Sequence, residues 1–590
     1  NEYYPCNYII ALLKKNEIDG KIINFILDKI NWYGNFIVRY NNLRTFLQGK
    51  FKAAEVCQVP HHMCHAASAY YCSGFNESIA LTIDGQGESE TITLNHIENN
   101  KITTISSTLY PHSLGSLYMH LTWYLGFDGH PKYPGFTDEF KVMGMSAYGK
   151  SVYLNEFRKM GGVNEQGEFH INFDEYVELV LVEGCKGHFQ PVFTQEFYEN
   201  FGSRRMPDEP LEQKHYDIAL SFQMFIEEIG VKLGQYIKKQ YPNVENICLS
   251  GGVALNGLMN MEVLRKAGYK NIFIQPASGD DGTSLGAALY TKFNILKEYK
   301  NEYIFENVYL GLEYSDKEIE SCLNDVGVVY SKPKSIHKEM AKLLHKGCIV
   351  TRYFDRAEFG PRALGHRSIL ANPSTPNMKD IINNKIKHRE PFRPFAPACL
   401  ESEAGKYFDI DCKAPYMLLI CKALEGVKDI VPAVVHDDGT ARLQTVSESE
   451  NNDFYQIITE FNELSGIPIL VNTSFNVNGE TIVETPLDAI ESSLFMTVDY
   501  LAIGSYLVNI KENRHKLSSI NRIDFLERRK SRYIDEYFSN EKFIWTDEVP
   551  IESKLDILSR QVSMFRNVAD ERLGLINTLD QECKRLKSLI

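Results

Sequence analysis

The sequence predicts an α/β protein of more than one domain, and three observations carry that prediction. Short apolar strands recur at Ile79–Ile83, Asn246–Leu249, Asn271–Ile274, Cys348–Tyr353, Ile467–Asn472 and Tyr500–Ile503. Several of them run into a glycine turn and then helix-like sequence, the alternation that builds α/β sheets. At 590 residues the chain is too long for one hydrophobic core, so roughly two to four domains are expected.

Composition narrows the functional classes. The chain is 44% hydrophobic and 24% charged, as in ordinary globular proteins. A net charge of -14 argues against a general grip on nucleic acid. No run is long and apolar enough for a membrane span, and the first residues lack a signal-peptide pattern. The 12 cysteines are scattered with no C-x-x-C pair, which predicts reduced thiols and a cytoplasmic protein.

Taken in order, Tyr8–Lys15 is helix-like, and residues 1–50 read as mixed helix with aromatic turns. Pro60–Ala67 reads P-H-H-M-C-H-A-A. His61 and His65 are four apart, so a helix turns both imidazoles to one side, as a metal site requires. A lone histidine there would be an ordinary core residue; a metal needs further ligands. Asp84 and Asp280, each expected to end an apolar strand, supply two. Cys64 falls on a different helical face from His61. Two histidines with two carboxylates suit zinc, iron or manganese.

The strand from Ser78 closes in Asp84-Gly85-Gln86-Gly87-Glu88, and the strand from Asn246 closes in Ser250-Gly251-Gly252. Either turn can offer consecutive backbone N–H groups to a phosphate. Such turns are common singly. Two of them beside an acidic metal ligand point to nucleotide phosphates. Pro111–Gly149, rich in Gly, Tyr and Pro, is expected to be a system of site-lining loops. Ile218–Lys239 has the pattern of a long amphipathic helix, and Leu285–Tyr290 of a helix with small residues. Tyr309–Ser335 turns polar and charged, which marks a boundary.

The second unit is basic within an acidic chain. Arg356, Arg362, Arg367, Lys387, Arg389 and Arg393 fall in or beside two loop-like segments, Phe359–Ser368 and Asn383–Pro397. They alternate with Gly, Pro and Phe rather than with Glu, which predicts an anion site and not a solvated face. Ser474 and Asn476, at the end of a strand, would add neutral hydrogen bonds. No nucleophile–base order, Walker loop or G-x-G-x-x-G fingerprint is present. Residues 513–550 have no clear period. From Leu558 the apolar positions step by four and three, as in a coiled coil or a helix docked on its own protein.

In sum, H-H-x-x-H-A-A-S-A, I-D-G-Q-G-E, E-F-K-V-M-G-M-S-A-Y-G, S-G-G-V-A-L-N, G-D-D-G-T-S-L-G-A-A, F-G-P-R-A-L-G-H-R-S, N-x-x-I-K-x-R-E-x-F-R-P-F-A-P and V-N-T-S-F-N resemble the O-carbamoyltransferase family, with its nodulation-type, aminoglycoside-type and cephem-type members. The resemblance runs from near residue 1 to about residue 510. It implies an actin/sugar-kinase-like (Kae1-like) carbamoyl-transfer domain over 1–325, a YrdC-like domain over 326–512 that forms carbamoyl adenylate, and a helical tail over 513–590. It also implies ATP, carbamoyl phosphate and Mg2+ as reactants, and a small hydroxylated acceptor such as a sugar or secondary metabolite.

Carried across by motif, His61, His65, Asp84 and Asp280 would bind the divalent metal, Fe2+ first, with Zn2+ or Mn2+ as alternatives. Gly85, Gly87, Ser250, Gly251, Gly252 and Asn256 would hold nucleotide in the first domain. Lys387 and Arg389 would act in catalysis together with Asp84. Ser474 and Asn476 would grip nucleotide, and Arg362, Arg367 and Arg393 would contact carbamoyl phosphate or triphosphate. No nucleic-acid or membrane partner is expected, and the terminal helix would serve a homodimer.

Family members open with a glycine-containing strand and a His-Asp pair that nothing here matches, so the N-terminal part of the first domain is expected to be missing. The competing readings are an impaired homologue acting as a scaffold, and a threonylcarbamoyl-adenosine tRNA enzyme. Hydrogenase-maturation carbamoyltransferases would add an acylphosphatase domain and paired C-x-x-C fingers, and neither is found.

Overall fold

A computed structural model of the protein describes residue 55 and residues 57–516, apart from 129–136, 174, 182–188, 299–304, 306, 391, 394, 478–479 and 497. The helix expected at Tyr8–Lys15 and the heptad segment from Leu558 lie outside the described residues. The elements below belong to one compact unit made of residues 59–178 and 191–533. Its architecture is α/β, with two mixed sheets covered by helices.

The first sheet contains β1 (Glu77–Ile83), β2 (Glu90–Glu98), β3 (Lys101–Leu109), β4 (Asn246–Ser250) and β5 (Asn271–Ile274), in the order β3-β2-β1-β4-β5. β1 is buried from Ser78 to Ile83, which is why it takes the middle place. It pairs antiparallel with β2, Ile79 opposite His96, and parallel with β4, Leu81 beside Leu249. β4 and β5 are also parallel. The C-terminal ends of β1 and β4 therefore lie side by side, where open α/β sheets carry their sites. Asn99 and Asn100, both with positive φ, make the tight turn from β2 to β3.

Six helices frame this sheet: α1 (His61–Ser73), α2 (Leu114–Tyr124), α3 (Glu139–Met145), α4 (Gln213–Gln240), α5 (Gly257–Lys266) and α6 (Thr283–Tyr290). α4 buries Ile218, Phe222, Phe225, Ile229, Leu233 and Ile237, an apolar stripe at helical spacing. α2 and α3 correct the expectation of loops over Pro111–Gly149. Leu114, Leu117 and Leu121 are buried on α2, and Val142 and Met145 on α3. Their three-and-four spacing is the helical signal, and the Gly, Tyr and Pro content around it hid it. Ser113 opens α2 by accepting the Ser116 N–H.

α6 crosses α1 at very close range. A Cβ on Gly286 would lie 1.8 Å from the Cys64 carbonyl oxygen. Gly286→Ala is therefore expected to destabilise the protein by about 2–3 kcal/mol and to weaken divalent-metal binding, because α1 carries His61 and His65. Thermal melts and a metal titration check both effects.

The second sheet contains β6 (Tyr330–Ser331), β7 (Val350–Tyr353), β8 (Arg367–Ala371), β9 (Ala396–Leu400), β10 (Gln444–Val446), β11 (Ile469–Ser474), β12 (Tyr500–Ile503) and β13 (Tyr506–Asn509), in the order β6-β13-β12-β7-β8-β11-β9-β10. α7 (Ile336–His345) and α8 (Asn452–Ser465) bury Met340, Leu344, Phe454, Ile458 and Phe461 against Val350, Leu370 and Leu470.

The polar stretch over 309–335 holds a helix, Asp316–Val326, opened by a Ser315/Glu318 capping box. Ser505 Oγ donates to its Asp316 at 2.7 Å, which ties it to the second sheet. The basic segment from Asn383 is not a loop throughout. Asn383–Lys387 is a wide helical turn continuing Met378–Ile382, and β9 starts at Ala396.

Candidate active site

α1 begins at Pro60, which has no side-chain hydrogen bond to give. Glu88 from the turn after β1 supplies the cap: its carboxylate accepts the His61 N–H at 3.0 and 3.2 Å. That contact seats the first turn of α1 over the end of β1. The Nε2 atoms of His61 and His65 are then 3.0 Å apart. His61 Nε2 lies 3.1 Å from Asp84 Oδ2 and 3.3 Å from Asp280 Oδ1. For His65 Nε2 the same separations are 3.9 and 3.6 Å. One ligand atom from each of the four residues fits within 4.8 Å of the others. Asp84 follows β1 directly. Asp280 does not end β5, as the sequence suggested; it opens a 3₁₀ turn six residues later, ahead of α6.

The electrostatics agree with the geometry. Burial lowers the His61 pKa, but hydrogen bonds to Asp280 and Asp84 outweigh it and carry the value up to about 10. Burial would raise Asp84, yet the histidines hold it below the usual carboxylate range. His61 and His65 pull Asp280 well down. The four side chains stabilise one positive centre: a proton on His61, or a divalent cation in its place. The donor set, two imidazoles and two carboxylates at these spacings, fits a zinc, iron or manganese ion.

The glycine turns do a different job from the one expected. The Gly87 N–H binds Glu90 O at 2.8 Å, Gly251 N–H binds Ser278 O at 2.9 Å, and Gly252 N–H binds Asp84 Oδ1 at 2.8 Å. Those N–H groups are occupied within the protein and not presented to a phosphate. Parallel strands and α1 crowd the turns, so their donors go to neighbours, and one of them orients Asp84. Gly251 has φ +90, and a Cβ there would fall 2.2 Å from Ile83 O. Ser250 is inside the sheet, its Oγ 3.3 Å from Thr82 Oγ1.

Gly85, Gly252 and Asn256 do line a common cavity of about 360 Å³, with Ser116, Glu139, Phe140 and Arg362. Asn256 caps α5 by accepting the Met259 N–H, and its amide exchanges two hydrogen bonds with Gln223. Gln223 also donates to Glu227 at 3.0 Å.

Burial pushes the Glu227 carboxyl up to about 7. The folded group then keeps its proton to about pH 7, while the unfolded one loses it at about pH 4.3. The folded state binds more protons between those limits, so this group makes stability fall as pH rises through them. Glu227→Gln is expected to remove that fall, a gain of roughly 2 kcal/mol at pH 8 after discounting for partial exposure. Melts from pH 4 to pH 8 should show a flatter curve for the variant.

The second cavity gathers the cations. Arg362, Arg389, Arg393, Arg442, His436 and Ser474 are among its lining residues. Lys387 sits buried beside Ser474, its Nζ donating to Ser474 Oγ at 3.1 Å and to Asn476 Oδ1 at 2.8 Å. The K-x-R and S-x-N segments are thus brought together. Arg389 Nε donates to Asn383 Oδ1 at 3.0 Å, and the guanidinium lies over Phe395.

Burial and Arg393 lower Arg389 to about 9 and Arg362 to about 10. Lys387 and Arg442 are also pushed well below their ordinary values, by burial first and then by neighbouring arginines. The Nε atoms of Arg362 and Arg442 and Nδ2 of Asn383 are buried without a hydrogen-bond partner among the described residues. Cations crowded together with unmet donors are costly unless an anion joins them.

Arg367 is not part of this group. Its guanidinium donates to Phe354 O at 2.6 Å and Asp355 O at 2.9 Å and lies over Tyr353. Arg356 pairs with Glu313 at the surface. Sequence reasoning missed Arg442 and His436, because His436 opens a turn and Arg442 ends the short strand Thr440–Arg442 after it, outside the Gly/Pro/Phe-rich segments. The two cavities share Phe140, Met143, Pro361 and Arg362 as a common wall. Among the described residues no helix is long and apolar enough to cross a membrane.

Residues 9–289 match the family of the carbamoyltransferase N-terminus, and residues 341–510 that of the carbamoyltransferase C-terminus. An uncharacterized protein of Synechocystis is 35% identical over 76% of this chain and 75% of its own length. Nodulation protein NolO of Bradyrhizobium diazoefficiens is 33% identical over 76% of this chain and 78% of its own. Nodulation protein NolNO of Sinorhizobium fredii is 34% identical over 76% of this chain, which spans 63% of that protein.

Proposed function

The chain belongs to the carbamoyltransferase family, and from that premise we propose that it is an ATP-dependent O-carbamoyltransferase working in two stages. In the first, a water oxygen bonds to the phosphorus of carbamoyl phosphate, the P–O bond to the carbamoyl group breaks, and phosphate leaves. The resulting carbamate oxygen then bonds to the α-phosphorus of Mg2+-bound ATP, pyrophosphate leaves, and carbamoyl adenylate forms. In the second, an acceptor hydroxyl oxygen bonds to the carbamoyl carbon and AMP leaves. The acceptor is a small hydroxylated molecule, a sugar or secondary metabolite.

The observation that carries this reading is the cation pocket. Bringing two polyanions together needs several fixed positive charges. Arg362, Arg389, Arg393 and Arg442 line one cavity with Lys387 held behind it. Ser474 and Asn476 fix Lys387, and Asn383 fixes Arg389. The shared wall gives the adenylate a short way from this cavity to the one beside the His–Asp cluster.

There His61, His65, Asp84 and Asp280 would hold the divalent metal. Bound there, it would polarise the carbamoyl carbonyl. Asn256 and the Gly85 and Gly252 backbone shape the cavity. Glu139, whose carboxyl burial pushes upward, lines it and would receive the acceptor's proton.

The same proposal assigns a Kae1-like transfer domain to 1–325 and a YrdC-like adenylate-forming domain to 326–512. The β3-β2-β1-β4-β5 order, a three-stranded antiparallel meander extended by two parallel strands, supports the first assignment. The enzyme is placed in the cytoplasm, in keeping with the free cysteines of the described residues. The segment from Leu558 is assigned to a homodimer contact. Incubation with ATP, carbamoyl phosphate and Mg2+ should release pyrophosphate. Folded protein that releases none would overturn the first stage.

A further inference from the structure

We infer that Lys141 of α3 is a positioning residue for the cation pocket: by pairing with Glu390 it holds that carboxylate to one side and limits its pairing with the arginines of the pocket. The inference rests on the reading of this pocket as a polyphosphate site.

Glu390 follows Arg389 in the chain and precedes Arg393 by three residues, so it is the acidic group nearest the clamp in sequence. Its Oε1 lies 2.8 Å from Lys141 Nζ, and its Oε2 lies 3.7 Å from an Arg393 nitrogen. One carboxylate is thus shared between a lysine of the first sheet's helices and an arginine of the pocket, with the lysine the nearer. Lys141 is well placed to hold it. Its ammonium also meets Asp138 at 2.8 Å, lies over the Phe127 ring, and is only 17% exposed.

The same stretch of α3 braces the arginine directly, since Arg393 lies over Phe140 at 4.6 Å. Phe392, between the two charged residues of the loop, packs on Phe127. The loop bearing Arg389 and Arg393 is therefore docked on α3 by one ion pair and one cation–π contact, and on Phe127 by an aromatic contact. Of these only the ion pair controls where a negative charge sits. Freed from Lys141, Glu390 would turn to Arg393 and Arg389 and compete with the incoming phosphate.

The test uses the full chain and pyrophosphate release as the readout, with KM for carbamoyl phosphate and kcat measured for wild type, K141M, K141R, E390Q and K141M/E390Q. K141M is expected to raise KM about tenfold while kcat stays within about twofold. K141R should restore KM. The double variant should match E390Q, because the competing carboxylate is gone, and E390Q alone should not raise KM.

A purely structural pair would behave differently. The double variant would then be as impaired as K141M or worse, and that result would overturn the inference, as would an unchanged KM in K141M or a raised KM in E390Q. If K141M fails to fold, K141R and E390Q still decide. Wild-type protein that neither releases pyrophosphate nor binds carbamoyl phosphate would sink the reading of the pocket, and this inference with it.

Discussion

Replacing His61 and His65 together by Ala is expected to abolish carbamoyl transfer, by more than about a thousandfold, while pyrophosphate release stays within about twofold of wild type. The separation follows from where the two sites lie. Neither histidine nor either aspartate of the cluster lines the cation cavity. The cations that would bind ATP and carbamoyl phosphate are fixed by other partners, Lys387 by Ser474 and Asn476 and Arg389 by Asn383. Nothing in that set depends on α1.

His65 is fully buried, so the double variant also leaves a hole and should melt lower. Asp280→Asn controls for this. Its side chain is 76% exposed, so the fold should survive, while one carboxylate ligand becomes a weaker neutral donor. Asp280→Asn should also lose transfer and bind the divalent metal less tightly. Simultaneous loss of pyrophosphate release in both variants would show that the two stages are not divided between the two sites.

How far the sequence could be read depended on whether a residue's partner was local. The β1 and β4 strands, α4 and the spacing of His61 and His65 follow from periodicity alone, and the structure places them at or near the expected residues. The partners of the glycine turns' N–H groups could not be read from sequence. Whether a backbone N–H is open to a ligand depends on what packs over it, and the acceptors for Gly251 and Gly252, Ser278 and Asp84, come from elsewhere in the chain. Arg367 and Arg362 sit in one motif with the same surroundings in sequence. β8 begins at Arg367 and turns it inward onto carbonyls, while Arg362 stays on the pocket wall. Arg442 lies 49 residues beyond Arg393 in sequence and joins the clamp only because its short strand pairs with Ile420–Lys422 and returns beside β9. Family resemblance recovered the family and the identity of the motifs; it could not say which arginine of a motif lines the cavity.

Arg442 gives the sharpest separation of stability from activity. Arg442→Met is expected to raise the melting temperature of the ligand-free protein by about 2–4 °C and to lower kcat/KM for pyrophosphate release by about a hundredfold or more. Both effects come from the same fact. The charges that bear on Arg442 are those of Arg362, Arg389 and Arg393, and its Nε is buried without a partner among the described residues. In the ligand-free protein the guanidinium is therefore repelled and under-bonded, and a Met of similar length relieves both costs.

With phosphates in place the sign reverses, because the same crowding of cations becomes the stabilising field for the charge that develops at phosphorus. The stability gain should shrink as salt rises, since screening already weakens the repulsion. It should vanish on adding carbamoyl phosphate and ATP, where wild type is stabilised by binding and the variant is not. A variant that loses stability along with activity would mean that Arg442 holds the pocket wall together rather than waiting for an anion.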